Sequence, residues 1–145
     1  MSLPVPQPGE VIRYSYLWRD EHLEGQEEGL KDRPCAVVMN RLTEAGSTRL
    51  VVLPITHSRP AKGVAAVEIP QATKARLGLD DAPSWIILQE ANRFTWPGTD
   101  IRPFDGLKGR TVSFGYLPPG LFKIVRDGFL SLADAGATAE VERTE

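Results

Sequence analysis

"EEGLKDRPCAVVMN", residues 27–40, passes from an acidic, glycine-containing stretch into an apolar run, and only Pro34 marks the change. The run "CAVVMN", 35–40, reads as a buried strand, so Arg33 places a permanent charge at its lip. An arginine ending a loop is commonly a solvated charge with its stem packed on the surface. Whether Arg33 does more depends on what the rest of the chain brings to it.

Working outward, "PGEVIRYSYLW" alternates apolar and polar residues after a Pro-Gly turn, so residues 10–17 read as a strand. Residues 18–33 carry Asp20, Glu21, Glu24, Glu27, Glu28 and Asp32, too polar for a core and too irregular for a regular element. They read as a long loop, the kind of segment that often carries function. Its acidic side chains are expected to gate the approach of a phosphate to Arg33.

Further strands are expected at 49–56, 64–69, 84–90 and 110–116, each rich in β-branched residues and bounded by turns, with "TEAGS" joining the second and third strands as a hairpin. Between them "PQATKARLGL" has Pro70 at a helix start and Gly78 at its end. "PPGLFKIVRDGFLSLADAG" spaces Leu121, Val125, Phe129 and Leu132 for one face of a closing helix. The chain is therefore expected to be mainly β with short helices: a small, strongly bent antiparallel barrel of the SH3-like kind with a C-terminal helix. One domain is expected over residues 1–145, with 1–8 and 137–145 as tails.

Composition bounds the function. With 41% hydrophobic and 25% charged residues the chain belongs with ordinary globular proteins and can bury a core unaided. A formal net charge of −2 argues against a general duplex binder, so any nucleic-acid contact must be local. The basic groups Arg49, Arg59 and Lys62, and Arg102, Lys108 and Arg110, read equally well as solvated faces. "MSLPVPQPGE" has neither a basic start nor an apolar core, and no apolar run approaches ~20 residues, so a cytoplasmic protein is expected, with no membrane partner. Cys35, the one cysteine, reads as core.

His22 and His57 have no Cys or carboxylate cluster at metal-ligand spacing, and the chain has neither a phosphate-cradling Gly-rich loop nor a Gly-x-Ser-x-Gly elbow. No metal and no cofactor are expected. What remains is polar residues at strand ends: Arg33, Thr56 with His57, and Glu90 with Asn92 and Arg93. In a bent barrel these ends converge, and a guanidinium, a hydroxyl and a carboxylate together suit a phosphodiester.

The order of elements resembles the MazF/PemK family of toxins from type II toxin–antitoxin systems, the fold group that also includes CcdB. "PGEVIRYSY" is similar to that family's opening strand and "GQEEGLKDRPCAVVM" to its Gly-x-Glu-Gln…Gly…Arg-Pro stretch. "LVVLPITHS" is similar to its strand ending in Pro-x-Thr, and "VSFGYLPPGLFKIVRDGFL" to its last strand and helix. The resemblance implies a metal-independent endoribonuclease that cleaves single-stranded RNA and inhibits growth. It also implies a homodimer, a cognate antitoxin whose tail lies across the groove, and operator DNA contacted only through the antitoxin complex.

By the same matching Arg33 and Thr56 fall on the catalytic arginine and threonine, and Glu27 on the loop glutamate. "EANR" departs from the family's pattern: one register keeps Glu90 and Arg93, the other puts Gln89 at the carboxylate position. Glu90, or alternatively His57, is expected to move protons. Glu27, His57, Asn92, Arg93 and Trp96 are expected to bind substrate, with Trp96 and Phe94 as base platforms. The acidic balance and the altered motif leave a second class open, a non-catalytic barrel that binds a protein partner or nucleic acid.

Overall fold

The structure is a computed structural model and describes residues 3–20 and 32–143. Glu27 and the rest of the acidic stretch from 21 to 31 lie outside the described residues, and with them the expected gate.

The centre of the fold is the hairpin of β2 (Arg33–Leu42) and β3 (Thr48–Thr56). The tight turn between them needs Gly46, whose φ of 84° is open to glycine at no steric cost, and the Thr43 hydroxyl accepts from the Ser47 amide at 3.1 Å. The strands pair in one register from Cys35 opposite Pro54 to Val37 opposite Val52, then shift by a bulge before continuing to Leu42 opposite Thr48. On the other side of β2 lies β1 (Glu10–Tyr14), with Tyr14 opposite Arg33, and beyond it β9 (Ser113–Tyr116).

β3 feeds two branches. Its first half, Thr48 to Val52, pairs with β6 (Glu90–Trp96), whereas Ile55 and Thr56 pair with β5 (Trp85–Ile87), which in turn pairs with β4 (Ala66–Glu68). The change falls at Leu53 and Pro54, where proline has no N–H to give to a ladder. The expected strand 84–90 is thus two strands broken at Leu88 and Gln89, and β6 runs on to Trp96. The expected strand 110–116 is likewise broken, into β8 (Gly109–Thr111), which forms a separate hairpin with β7 (Phe104–Gly106), and β9.

The expectation of a barrel is corrected. The main path runs β10-β6-β3-β2-β1-β9 and ends in two edges instead of closing, because the β4 and β5 branch leaves at Pro54 and β10 (Ala139–Glu142) adds to the far side of β6. Over the described residues the molecule is a large, mainly antiparallel sheet with two helices in full view. α1 (Gln71–Leu77) lies between Pro70 and Gly78, and α2 (Pro119–Asp134) starts behind Pro118.

Strand alternation builds two cores. Ala36 and Val38 of β2, with Leu53, Ile86, Val125 and Phe129, fill the side covered by α2; Cys35 and Val37, with Ile12, Tyr14, Leu50 and Phe94, fill the other. Each fully buried side chain of this size contributes about 1.5–3 kcal/mol.

The expected C-terminal tail is also corrected. Residues 139–142 form β10 parallel to β6, and beyond it Arg143 is almost fully buried. Its guanidinium pairs with Asp100 at 2.9 Å and donates to the Ser15 carbonyl at 2.7 Å and the Asn92 side-chain oxygen at 3.0 Å. A buried charge persists only with such partners. Nor are residues 3–8 loose: Pro6 is buried and its carbonyl accepts from Asn40 Nδ2 at 3.1 Å. Among the described residues no helix is long and apolar enough to cross a membrane.

Candidate functional site

Continuing the β2–β3 register two residues beyond Cys35 and Pro54 sets Arg33 across from Thr56. Both face the side of the sheet that carries Cys35 and Val37, and together with Ser58 they form a wall shared by two clefts. One cleft, of about 180 Å³, is lined by His57, Lys74, Asp80 and Ser84; the other, of about 450 Å³, by Trp18, Arg59, Gln89 and Glu90.

Arg33 is half-buried, and its guanidinium carbon lies 5.0 Å from the centre of the Trp18 ring. A cation over an indole face is held without its donors being used up. Its Nε is buried with no hydrogen-bond partner among the described residues. Arg33 also lines both clefts, so its guanidinium is the cation that the two share.

Glu90 begins β6, and its Oε1 accepts from the Tyr16 hydroxyl at 3.1 Å and from the Arg19 amide at 3.0 Å. Burial pushes its carboxyl above the ordinary value of 4.5, and the two hydrogen bonds only partly offset this. Gln89, the alternative for the carboxylate position, lines the same cleft, but its side-chain oxygen is taken by the Ala65 amide at 3.1 Å. The carboxylate that lines the cleft shared by Arg33 and Trp18 is that of Glu90.

His57 lies in the other cleft, with both ring nitrogens occupied: Nδ1 is 2.9 Å from Ser84 Oγ and Nε2 is 2.9 Å from Asp80 Oδ2. Behind them the fully buried ammonium of Lys74 donates to Asp80 at 2.8 Å, to Ser84 at 2.6 Å and to the Ala82 carbonyl. These bonds, led by the one from Lys74, hold the Asp80 carboxyl below its ordinary value of 3.8. The ring thus ties the turn after Thr56 to Asp80 and Ser84 in the segment between α1 and β5, and it lines a different cleft from Glu90.

The other expected contacts separate from the site. Asn92 is fully buried, its Oδ1 accepting from the Leu17 amide at 2.8 Å and its Nδ2 donating to the Leu17 carbonyl at 2.7 Å. It binds the chain, not a ligand. Trp96 and Phe94 belong to the core, Phe94 stacked 4.6 Å from Tyr14, so neither offers a ring to a base. Arg93 points to the opposite face of β6, 3.7 Å from Glu140. Glu27 lies outside the described residues. Arg33, Thr56 and Glu90 come together.

Sequence reasoning missed Trp18, Tyr16, Lys74, Asp80 and Ser84. Trp18 stood at the strand end and carried a signal, an aromatic beside the long loop; Lys74, inside the helix expected between Pro70 and Gly78, carried none. Burial drives the Cys35 thiol far above its ordinary value, so it stays a core residue. No group of three or more His, Cys, Asp or Glu is gathered for a metal among the described residues. No protein-family model and no curated protein matches the chain.

Proposed function

We propose that the protein is a metal-independent endoribonuclease of the MazF/PemK kind, the toxin of a type II toxin–antitoxin pair. The carrying observation is Arg33: a cation seated on Trp18, in one wall with Thr56 and lining one cleft with Glu90. A phosphodiester in that cleft accepts from the Arg33 guanidinium, and the Thr56 hydroxyl gives a second donor to the same phosphate.

In the reaction the ribose 2′-oxygen attacks the adjacent phosphorus. The 2′-O–P bond forms, the P–O5′ bond breaks, Glu90 takes the 2′-hydroxyl proton, and water supplies a proton to the leaving oxygen. Arg33 stabilises the charge that develops on the phosphoryl oxygens. The products are a 2′,3′-cyclic phosphate and a 5′-hydroxyl. An antitoxin neutralises the protein by covering the two clefts, and two copies form a dimer. The test is induced expression of the protein alone. The wild type arrests growth and Arg33→Ala at the same soluble level does not; equal harmlessness of the two overturns the toxin reading.

A further inference from the structure

Tyr16 is fully buried and makes two contacts that reach opposite parts of the site. Its hydroxyl donates to Glu90 Oε1 at 3.1 Å, and its ring meets Trp18 edge to face at 5.2 Å, the ring on which Arg33 lies. Oε1 also accepts from the Arg19 amide, so one oxygen of Glu90 is anchored twice while the residue still lines the cleft. A general base needs that division, with one oxygen fixed and the other open to the proton it removes.

We infer that Tyr16 is a positioning residue that sets the proton acceptor and the arginine platform together: its hydroxyl aims Glu90 and its ring, packed edge to face with Trp18, holds that indole beneath Arg33. The inference rests on the RNA-cleavage reading above, and its chemistry is that of the ribose 2′-hydroxyl as the substrate group that Glu90 meets.

Among the described residues the charged and titratable groups around Glu90 are Tyr16 itself, Arg19 and Asp20 on the adjoining segment, and Arg33 and Arg59 across the cleft. Asp20 pushes the carboxyl up; the hydrogen bonds from Arg19 and Tyr16, with the charge of Arg19, pull it down. Tyr16→Phe deletes one stabilising hydrogen bond to the carboxylate and little else, so Glu90 should hold its proton to higher pH. The acid limb of the cleavage profile, where the base must be ionised, should move the same way.

Two measurements on the full chain separate the possibilities. The first follows the Glu90 side-chain carbon by NMR through a pH titration, with Glu90→Gln identifying the signal. The second records the pH dependence of kcat for a single-stranded RNA oligonucleotide. The inference expects Tyr16→Phe to raise both the Glu90 midpoint and the acid limb, with kcat lowered more than KM is raised. A Glu90 midpoint unchanged by Tyr16→Phe overturns the positioning role. A midpoint that moves while the acid limb stays in place overturns Glu90 as the base. No cleavage by the wild type overturns the RNA reading and the base with it, and the titration still decides whether Tyr16 holds Glu90.

Discussion

Asn92→Ala should cost the fold about 4 kcal/mol and is a sharp test of how the site is held. The Asn92 amide closes a two-way clamp on Leu17, accepting its N–H at 2.8 Å and donating to its carbonyl at 2.7 Å, and it also accepts from Arg143 at 3.0 Å. Truncation orphans both backbone groups of Leu17 in a buried setting, and each unpaired buried group costs about 1–3 kcal/mol. The Arg143 donor keeps the Ser15 carbonyl at 2.7 Å and adds little. With the central value of about 2 kcal/mol for each Leu17 group, the sum is about 4 kcal/mol. At a urea m value of about 2 kcal/mol/M, the unfolding midpoint should fall by about 2 M with m unchanged. Trp18 and Arg19 follow Leu17 directly, so the same change should loosen the seat of Arg33 and the anchor of Glu90. A midpoint within about 0.2 M of wild type at the same m, a change of about 0.4 kcal/mol and well under the ~1 kcal/mol of even one orphaned group, would refute the clamp and return Asn92 to the ligand-binding role its place in the sequence offered.

Trp18→Ala should lower kcat/KM for RNA about tenfold, the worth of a cation–aromatic contact of 1–2 kcal/mol, while Trp18→Phe recovers most of it; equal rates in all three would show that Arg33 needs no platform. Asp80 has its carboxyl depressed in the folded state, so its contribution is complete above the ordinary value of 3.8 and disappears as pH falls through the lower folded value. Wild type should therefore unfold at higher urea than Asp80→Asn at pH 5, and the gap should close towards pH 2; a gap of constant size would mean that the bonds to Lys74 and His57 carry no ionic share.

The hairpin at the centre was legible because Arg-Pro, the β-branched runs and the glycine turn are local signals, and the two helices because Pro70, Gly78 and Pro118 bound them. What escaped depends on contacts distant in sequence. Pro54 lies inside an apolar run, and only the register shows that the sheet divides there. β10 is short and has polar residues on both sides, so nothing local distinguishes it from a tail; the ion pair of Arg143 with Asp100, 43 positions earlier in the chain, is what holds it. Arg33, Thr56 and Glu90 were found together because each ends or begins a strand and the strands meet in one sheet. Asn92 and Trp96 share the strand and the face of Glu90, but they lie farther along it, where that face is covered by the core. His57 was read from its type alone, and Asp80 and Ser84, which occupy its nitrogens, could not be placed beside it without the fold.

The most direct measurement of the central claim is single-turnover cleavage of a single-stranded RNA oligonucleotide, in EDTA, by wild type and by Arg33→Ala. Loss of one charge-stabilising donor at a preorganised site costs about 10²–10³ in rate. The wild type should cut the strand to a 2′,3′-cyclic phosphate and a 5′-hydroxyl, with Arg33→Ala slower by that factor and equally well folded. Cleavage at the same rate by both proteins, or none by the wild type, would contradict the assignment of this wall as a ribonuclease site.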